Sequence, residues 1–332
     1  MYAKQFGINK CAVAYRNNLH KNNITIARDA FSFLDKCDDC FILVSDFSKY
    51  FDLIDHQYLK KQLMEVLQVS FLSDDWYKVF RSVTKYSYID LDKITSYKKL
   101  TLKETRKLPR ICDAKELHQL KQFIQTNKEK YGIPQGSSIS STLSNVNLAK
   151  YDIAINNFVT THKGLYRRYC DDSLIIIPMN CKDDFLSLYT DLNTSIPGLK
   201  VNKDKMKEFY IKNGEILDNE MRKTSLDYLG FSYDSQLIKI REKTITAFYL
   251  KAYRAIKGLN RLSLKYNRKT YRKQFYKSFT HLGKHKSKNN RGNFLSYIDK
   301  CSRIMKSMII REQVKKHWSK FNLKLVNPKK KT

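Results

Sequence analysis

Glycine and proline are scarce in this 332-residue chain, at 10 and 5 residues, which leaves no room for a long flexible linker. No internal repeat is visible either. Long apolar runs are also missing. The most apolar stretch, Leu174 to Met179, is far short of the roughly 20 residues a membrane-crossing helix needs. The opening MYAKQFGINK has no apolar core followed by a small-residue cleavage site, so no secretion is expected. Seven cysteines are scattered without framework spacing, which suits a reducing, cytoplasmic setting. Cys37 and Cys40 form a lone CxxC with no second pair and no nearby HxxxH to close a zinc tetrahedron, and both read as ordinary residues near the start of a strand. Acidic residues are the last shortage: 32 Asp and Glu stand against 63 Lys and Arg, a formal net charge of +31. Such an excess gathers polyanions, nucleic acid before anionic membrane. Its competing origin is an AT-rich coding sequence, which also enriches Lys, Asn, Ile and Tyr.

What is present reads as a globular α+β chain. Apolar residues make up 42%, too many for a disordered polymer. Residues 41–45, FILVS, form a short apolar run expected as a buried strand. After Asp55, the spacing of Tyr58, Leu59, Leu63, Val66 and Leu67 predicts a helix. Residues 91–130 are polar and Lys-rich, an expected excursion over the surface. A helix is expected over 141–158, and two strands over 166–177 with a tight turn at the acidic pair. From Ile245 onward, Phe248, Ala252, Ile256 and Leu259 keep helical period while Lys251, Arg254, Lys257 and Arg261 fall on other faces. A further helical run is expected from Phe294 through Met308, with Val314, Trp318 and Phe321 continuing the spacing, so the C-terminal part is basic and helical.

Asp46 closes the apolar strand, and Asp171 and Asp172 stand in the expected hairpin. Singly, an aspartate after a strand is ordinarily a turn residue. Together they differ, because adjacent like charges between buried strands repel unless a cation lies between them. A few aspartates converging from separate segments suit Mg²⁺, a hard ion that prefers carboxylate oxygen, and phosphoryl transfer depends on such ions to activate a hydroxyl and neutralise a triphosphate.

These residues resemble a known family. Asp46-Phe-Ser-Lys-Tyr-Phe51-Asp52 is similar to the first palm motif of reverse transcriptases, and Tyr169-Cys170-Asp171-Asp172 to their Tyr-x-Asp-Asp box. Gly132-Ile-Pro-Gln-Gly136-Ser-Ser-Ile-Ser140 resembles the segment beneath the incoming nucleotide and primer. Val201-Asn202 with Lys205 resembles the next motif, and Tyr228-Leu229-Gly230-Phe231 the primer-grip turn. Within the wider group the chain looks most like bacterial group II intron and retron enzymes, in the antiphage-defence and abortive-infection branch, on the text AYRNNLHKNNITIARDAF, DHQYLKKQL and KKHW.

The resemblance implies a right-hand polymerase fold with fingers, an antiparallel-sheet palm and a helical thumb. Reduced fingers would come from 1–40 and 70–130, the palm from 41–69 and 131–235, and a basic thumb from 236–332. Both acidic motifs would lie at one sheet edge. The implied activity is RNA-directed DNA synthesis with two Mg²⁺ ions, bridged by Asp46 and Asp171, with Asp172 completing the site and the Phe47 carbonyl adding a ligand. Phe51 would exclude the ribose 2′-hydroxyl, Gln135 would touch nucleotide or template, and Lys205 would face the triphosphate or its leaving group. Gly132, Pro134, Gly136, Tyr169, Leu229 and Gly230 would meet the template–primer. Expected partners are an RNA template, a DNA or RNA primer, dNTPs and a dedicated non-coding RNA, with no membrane. Only 45 residues precede Asp46, which implies shortened fingers or a misplaced start, with Arg16 as the candidate triphosphate clamp. No nuclease, maturase or DNA-binding region is expected after the thumb. The rivals are an RNA-templated RNA polymerase, which places a polar or acidic residue where Phe51 stands, a mobile-element reverse transcriptase, and an RNA-binding scaffold without activity.

Overall fold

The computed structural model describes residues 7–16, 19–267, 270–283 and 292–325; the tail from 326, with Lys329–Thr332, lies outside them. Among the described residues there are ten strands: β1 (Asp39–Ser45), β2 (Ser87–Tyr88), β3 (Gln125–Thr126), β4 (Leu165–Tyr169), β5 (Asp172–Pro178), β6 (Lys207–Lys212), β7 (Glu215–Leu217), β8 (Leu226–Tyr228), β9 (Phe231–Tyr233) and β10 (Ile238–Ile240). They form a five-stranded sheet in the order β4-β5-β1-β6-β7, a three-stranded sheet β10-β9-β8 and the short pair β2-β3. With helices around them, the class is α+β. The chain divides into two compact units, one of residues 1–15, 44–175 and 180–206 and the other of 16–43, 176–179 and 207–332.

The first unit holds both acidic motifs. Its helix His56–Leu67 begins where Asp55 accepts a hydrogen bond from the Tyr58 amide at 2.7 Å, an N-cap that satisfies a backbone donor with no helical partner. The polar stretch after residue 90 forms short helices Leu91–Lys98, Leu102–Thr105 and Ala114–Gln119. The last two start with capping boxes, Thr101 with Glu104 and Asp113 with Glu116, and buried Ile94 and Leu120 anchor the excursion. The helix expected over 141–158 is two, Ser138–Asn147 and Ala149–Thr161, separated by Leu148 at φ −100°, ψ 14°. One residue leaving helical ψ keeps the apolar spacing intact, so periodicity does not register the break.

The second unit carries the helix Asn23–Leu34, capped by Asn22 with Thr25 in return. It also contains the antiparallel β8–β9–β10 ribbon, with Tyr228 opposite Phe231 and Ile240 opposite Phe231 on its other side. The long helix Glu242–Lys265 buries Phe248, Ala252 and Ile256 and exposes Lys251, Arg254, Lys257 and Arg261, as its period predicts; Leu259 is only half-buried. Phe248 stacks on Phe294 at 4.6 Å and lies 6.0 Å from Phe321, which contacts Phe275 at 5.7 Å. The run expected from Phe294 to Phe321 is three helices, Phe294–Met305, Ile309–Glu312 and His317–Lys324. Lys306 turns left-handed at φ 54° to end the first, and Ser302 holds the turn by donating to the Ser307 carbonyl at 2.7 Å. Among the described residues no helix is long and apolar enough to cross a membrane.

Candidate active site

β5 and β1 are neighbours in the sheet, and their acidic residues leave from the same end. Ser45, the last residue of β1, and Ser173, the second of β5, have hydroxyl oxygens 2.6 Å apart. Tyr189 donates to Ser45 Oγ at 2.8 Å. This buried hydroxyl chain fixes the pairing directly beside Asp46 and Asp172. Both motifs therefore lie at the same end of the sheet, the first at the end of inner strand β1 and the second where edge strand β4 turns into β5. Asp171 is in the turn, whereas Asp172 opens β5, so the acidic pair straddles the turn's end instead of forming it.

The segment after Gly198 brings in the cation. The Asn202 amide donates to the Asp46 carbonyl at 2.8 Å and the Ser48 amide to the Lys200 carbonyl at 2.8 Å, making an antiparallel bridge of Phe47 with Val201. Both bonds bypass the Phe47 carbonyl; the Phe47 ring is buried against Tyr50 and Tyr151, each 5.8 Å away. Gly198, at φ 78°, lies where a Cβ would run into the Leu53 carbonyl, so only glycine permits this approach. Lys205 Nζ then donates to Asp46 Oδ2 at 2.7 Å, with Asn202 Nδ2 at 3.5 Å from the same oxygen. The Asp46 hydrogen bond raises the Lys205 pKa, and the charges of Asp46, Asp172 and Asp171 add to the effect. One ammonium thus senses all three carboxylates.

The Phe51 motif is stitched to the Gly132 motif by backbone. The Ile133 amide donates to the Phe51 carbonyl and the Gly132 amide to the Ile54 carbonyl, both at 2.9 Å. Gly132, at φ 88°, faces the Asp52 carbonyl, 3.1 Å from where a Cβ would stand. His56 Nε2 donates to the Gly132 carbonyl at 2.7 Å, and burial lowers the His56 pKa, so the neutral ring serves as a structural donor. Asn127 Nδ2 donates to the carbonyls of Thr84 and Tyr131 at 3.0 and 3.1 Å. Beyond this junction Pro134 is half-buried, Gln135 and Gly136 are exposed, and the helix Ser138–Asn147 follows. Phe51 is half-buried beside Tyr50, ring centroids 5.6 Å apart.

Behind the Tyr169–Asp172 segment lies a network that the sequence reading missed. Arg168 and Asp152 are both fully buried. The guanidinium donates to Asp152 through Nε at 2.7 Å and NH2 at 2.5 Å, and through NH1 to Asn145 Oδ1 at 3.1 Å and the Cys170 carbonyl at 2.8 Å. Tyr166 adds a hydrogen bond to Asp152 Oδ1 at 2.7 Å. Burial opposes the charge on Arg168, and the Asp152 carboxylate overrides it, raising its pKa well above the usual value. A signal was there: alternation along β4 puts 166 and 168 on one face, and a charge at 168 beside buried Tyr166 demands an internal partner. Tyr15, from the N-terminal segment, donates to Cys170 Sγ at 3.4 Å, and burial pushes the Cys170 thiol up to about 11. Tyr169 closes β4, half-buried.

Leu229 and Gly230 belong to the second unit. They form the two-residue turn of β8–β9, both with positive φ (46° and 92°), the conformation a type I′ hairpin turn requires. The Asn23 side chain donates to the Leu229 carbonyl at 3.4 Å and the Arg241 amide to the Gly230 carbonyl at 3.0 Å. Arg16 also belongs to the second unit and is half-exposed.

Among the described residues no three His, Cys, Asp or Glu side chains form a ready-made metal cage. Mg²⁺ typically binds through one or two carboxylates with substrate phosphates and waters, not in an all-protein cage. The donors here suit that mode: the Asp46 carboxylate is paired with Lys205, whose side chain is 64% exposed against 9% for Asp46, and Asp172 starts the neighbouring strand at the same end.

No protein-family model and no curated protein matches the chain. Among solved structures, apo telomerase from Candida tropicalis is similar at a TM-score of 0.43 and 14% identity, covering 94% of this chain and 48% of that one. Telomerase from Candida albicans, in complex with a TWJ fragment of telomeric RNA, gives 0.42 and 16%, with 96% and 45% covered. The chain spans less than half the length of these structures, and a likeness this shallow transfers neither fold nor function to it.

Proposed function

We propose that this chain is an RNA-directed DNA polymerase that adds dNTPs to a primer on an RNA template, with Asp46, Asp171 and Asp172 holding two Mg²⁺ ions. The Ser45–Ser173 contact is the observation that carries the reading, because it fixes Asp46 and Asp172 at the same end of adjacent strands. When bound, the ions supply activation of the primer 3′-hydroxyl and neutralisation of the triphosphate. Lys205 orients the Asp46 carboxylate, and its exposed stem lets the ammonium turn to the triphosphate. Phe51 closes the space beneath the sugar against a 2′-hydroxyl. Gly132, held at its carbonyl by His56, anchors the segment whose exposed Gln135 and Gly136, with Pro134, meet the nucleotide and primer. Tyr169, Leu229 and Gly230 touch the template–primer, Arg16 is the triphosphate clamp, and the exposed cations of the helix Glu242–Lys265 hold the duplex through its phosphates.

The proposed setting is bacterial antiphage defence in the cytoplasm, with a dedicated non-coding RNA; a mobile element is the alternative. Asp171→Ala with Asp172→Ala removes DNA synthesis on a primed RNA and leaves RNA binding largely intact, as primer extension and filter binding will report. Full extension by the double variant overturns the assignment. Phage plating on a host carrying the gene with its flanks is expected to fall, and Asp46→Ala to restore it. Protection that survives Asp46→Ala separates defence from polymerisation.

A further inference from the structure

Cys170, between Tyr169 and Asp171, has φ of 62°. A residue with a side chain persists in this left-handed region only where its surroundings hold it there. Two groups outside the carboxylate set do so. Arg168 NH1 donates to the Cys170 carbonyl at 2.8 Å, and the rest of that guanidinium is committed to Asp152 and Asn145, so it has no freedom to turn away. Tyr15, itself left-handed at φ 58°, donates its hydroxyl to Cys170 Sγ at 3.4 Å. The segment carrying Tyr15 is sewn to the same strand. Val13 donates to the Arg168 carbonyl at 3.0 Å, Arg168 to the Cys11 carbonyl at 2.8 Å, and Asn145 Nδ2 to the Ala14 carbonyl at 3.1 Å. Carbonyl and side chain of one strained residue are therefore gripped from two separate elements, both belonging to the first unit.

We infer that Tyr15 and Arg168 are positioning residues for Asp171: by gripping Cys170 at its thiol and its carbonyl, they set the direction in which the Asp171 carboxylate leaves the turn. This role rests on the polymerase reading; the grip itself does not. Small displacements at a reacting centre cost rate, not substrate affinity, which separates this role from a general contribution to folding.

The test uses the full chain with Tyr15→Phe, which removes one oxygen from a half-exposed ring, and separately with Arg168→Met plus Asp152→Asn, which leaves no buried charge. Two quantities are read: the rate constant for alkylation of the Cys170 thiolate by N-ethylmaleimide in the folded protein, taken from the pH–rate profile so that thiolate fraction is factored out and mapped by peptide mass spectrometry, and kcat and KM for primer extension. Both variants are expected to label Cys170 about tenfold faster and to lose roughly tenfold to a hundredfold in kcat, with KM for template–primer unchanged. Should the paired variant fail to fold, Tyr15→Phe decides alone. Unchanged labelling overturns the grip. Faster labelling with wild-type kcat, or a loss confined to KM, overturns the positioning role. A wild type that extends no primer overturns the polymerase reading and the positioning role with it, while the labelling rates still decide the grip.

Discussion

The region around Asp46 and Asp171 is held by polar groups, and the helical region from Glu242 onward is held by rings. In the first, a buried guanidinium–carboxylate pair, a chain of three hydroxyls and a left-handed cysteine hold residues that flank the carboxylates. In the second, Phe248, Phe275, Phe294 and Phe321 pack by shape, and Lys251, Arg254, Lys257 and Arg261 stay in water. The difference matches what the proposed function asks of each. A carboxylate that orders charge needs a fixed direction, and directional hydrogen bonds supply direction where rings supply only volume. A surface that meets phosphates needs charge density, which amphipathic spacing provides without costly burial.

The sharpest way to break this contrast is Arg168→Met, which leaves Asp152 buried without its partner. Urea unfolding is expected to report a loss of about 3–5 kcal/mol, part of it recovered when Asp152→Asn is added. A loss within experimental error would mean that the polar network does not hold its region. Phe51→Ala comes next. Primer extension with rNTPs and dNTPs is expected to show selectivity falling by roughly 10–100-fold, with unfolding little changed. Equal rNTP use by wild type and variant would remove Phe51 as a gate and favour an RNA polymerase. The smallest effect is expected on the helical side: Lys251→Gln, Arg254→Gln and Lys257→Gln together should leave stability within about 0.5 kcal/mol. The same triple change should reduce the slope of log affinity for single-stranded RNA against log salt by about 2. An unchanged slope would take this face out of RNA binding.

Much of the candidate site was legible before any fold. Asp46, Asp171, Asp172, Phe51, Gly132 and Lys205 stand in ordered motifs, and strand β1 and the helices His56–Leu67 and Glu242–Lys265 follow from hydrophobic spacing alone. What escaped was of two kinds. Helix breaks at Leu148 and Lys306 depend on single backbone angles that leave the apolar pattern unchanged. Supporting residues such as Tyr15, Asp152, His56 and Asn127 act on partners up to 155 positions distant, and nothing local marks them.

The sequence by itself determined the cast: a basic, α+β chain, three aspartates in two motifs, and helices whose period separates an apolar face from a cationic one. Those are local properties, fixed by residue type and spacing. Only the tertiary structure decided that β1 and β5 are adjacent, so that two of those aspartates leave from the same end of the sheet. It alone placed Lys205 on Asp46 and turned Arg168 inward to Asp152. These are pairings between segments far apart in the chain, where burial makes an unpartnered charge or donor too costly to leave, and that cost is paid or avoided only once the segments meet.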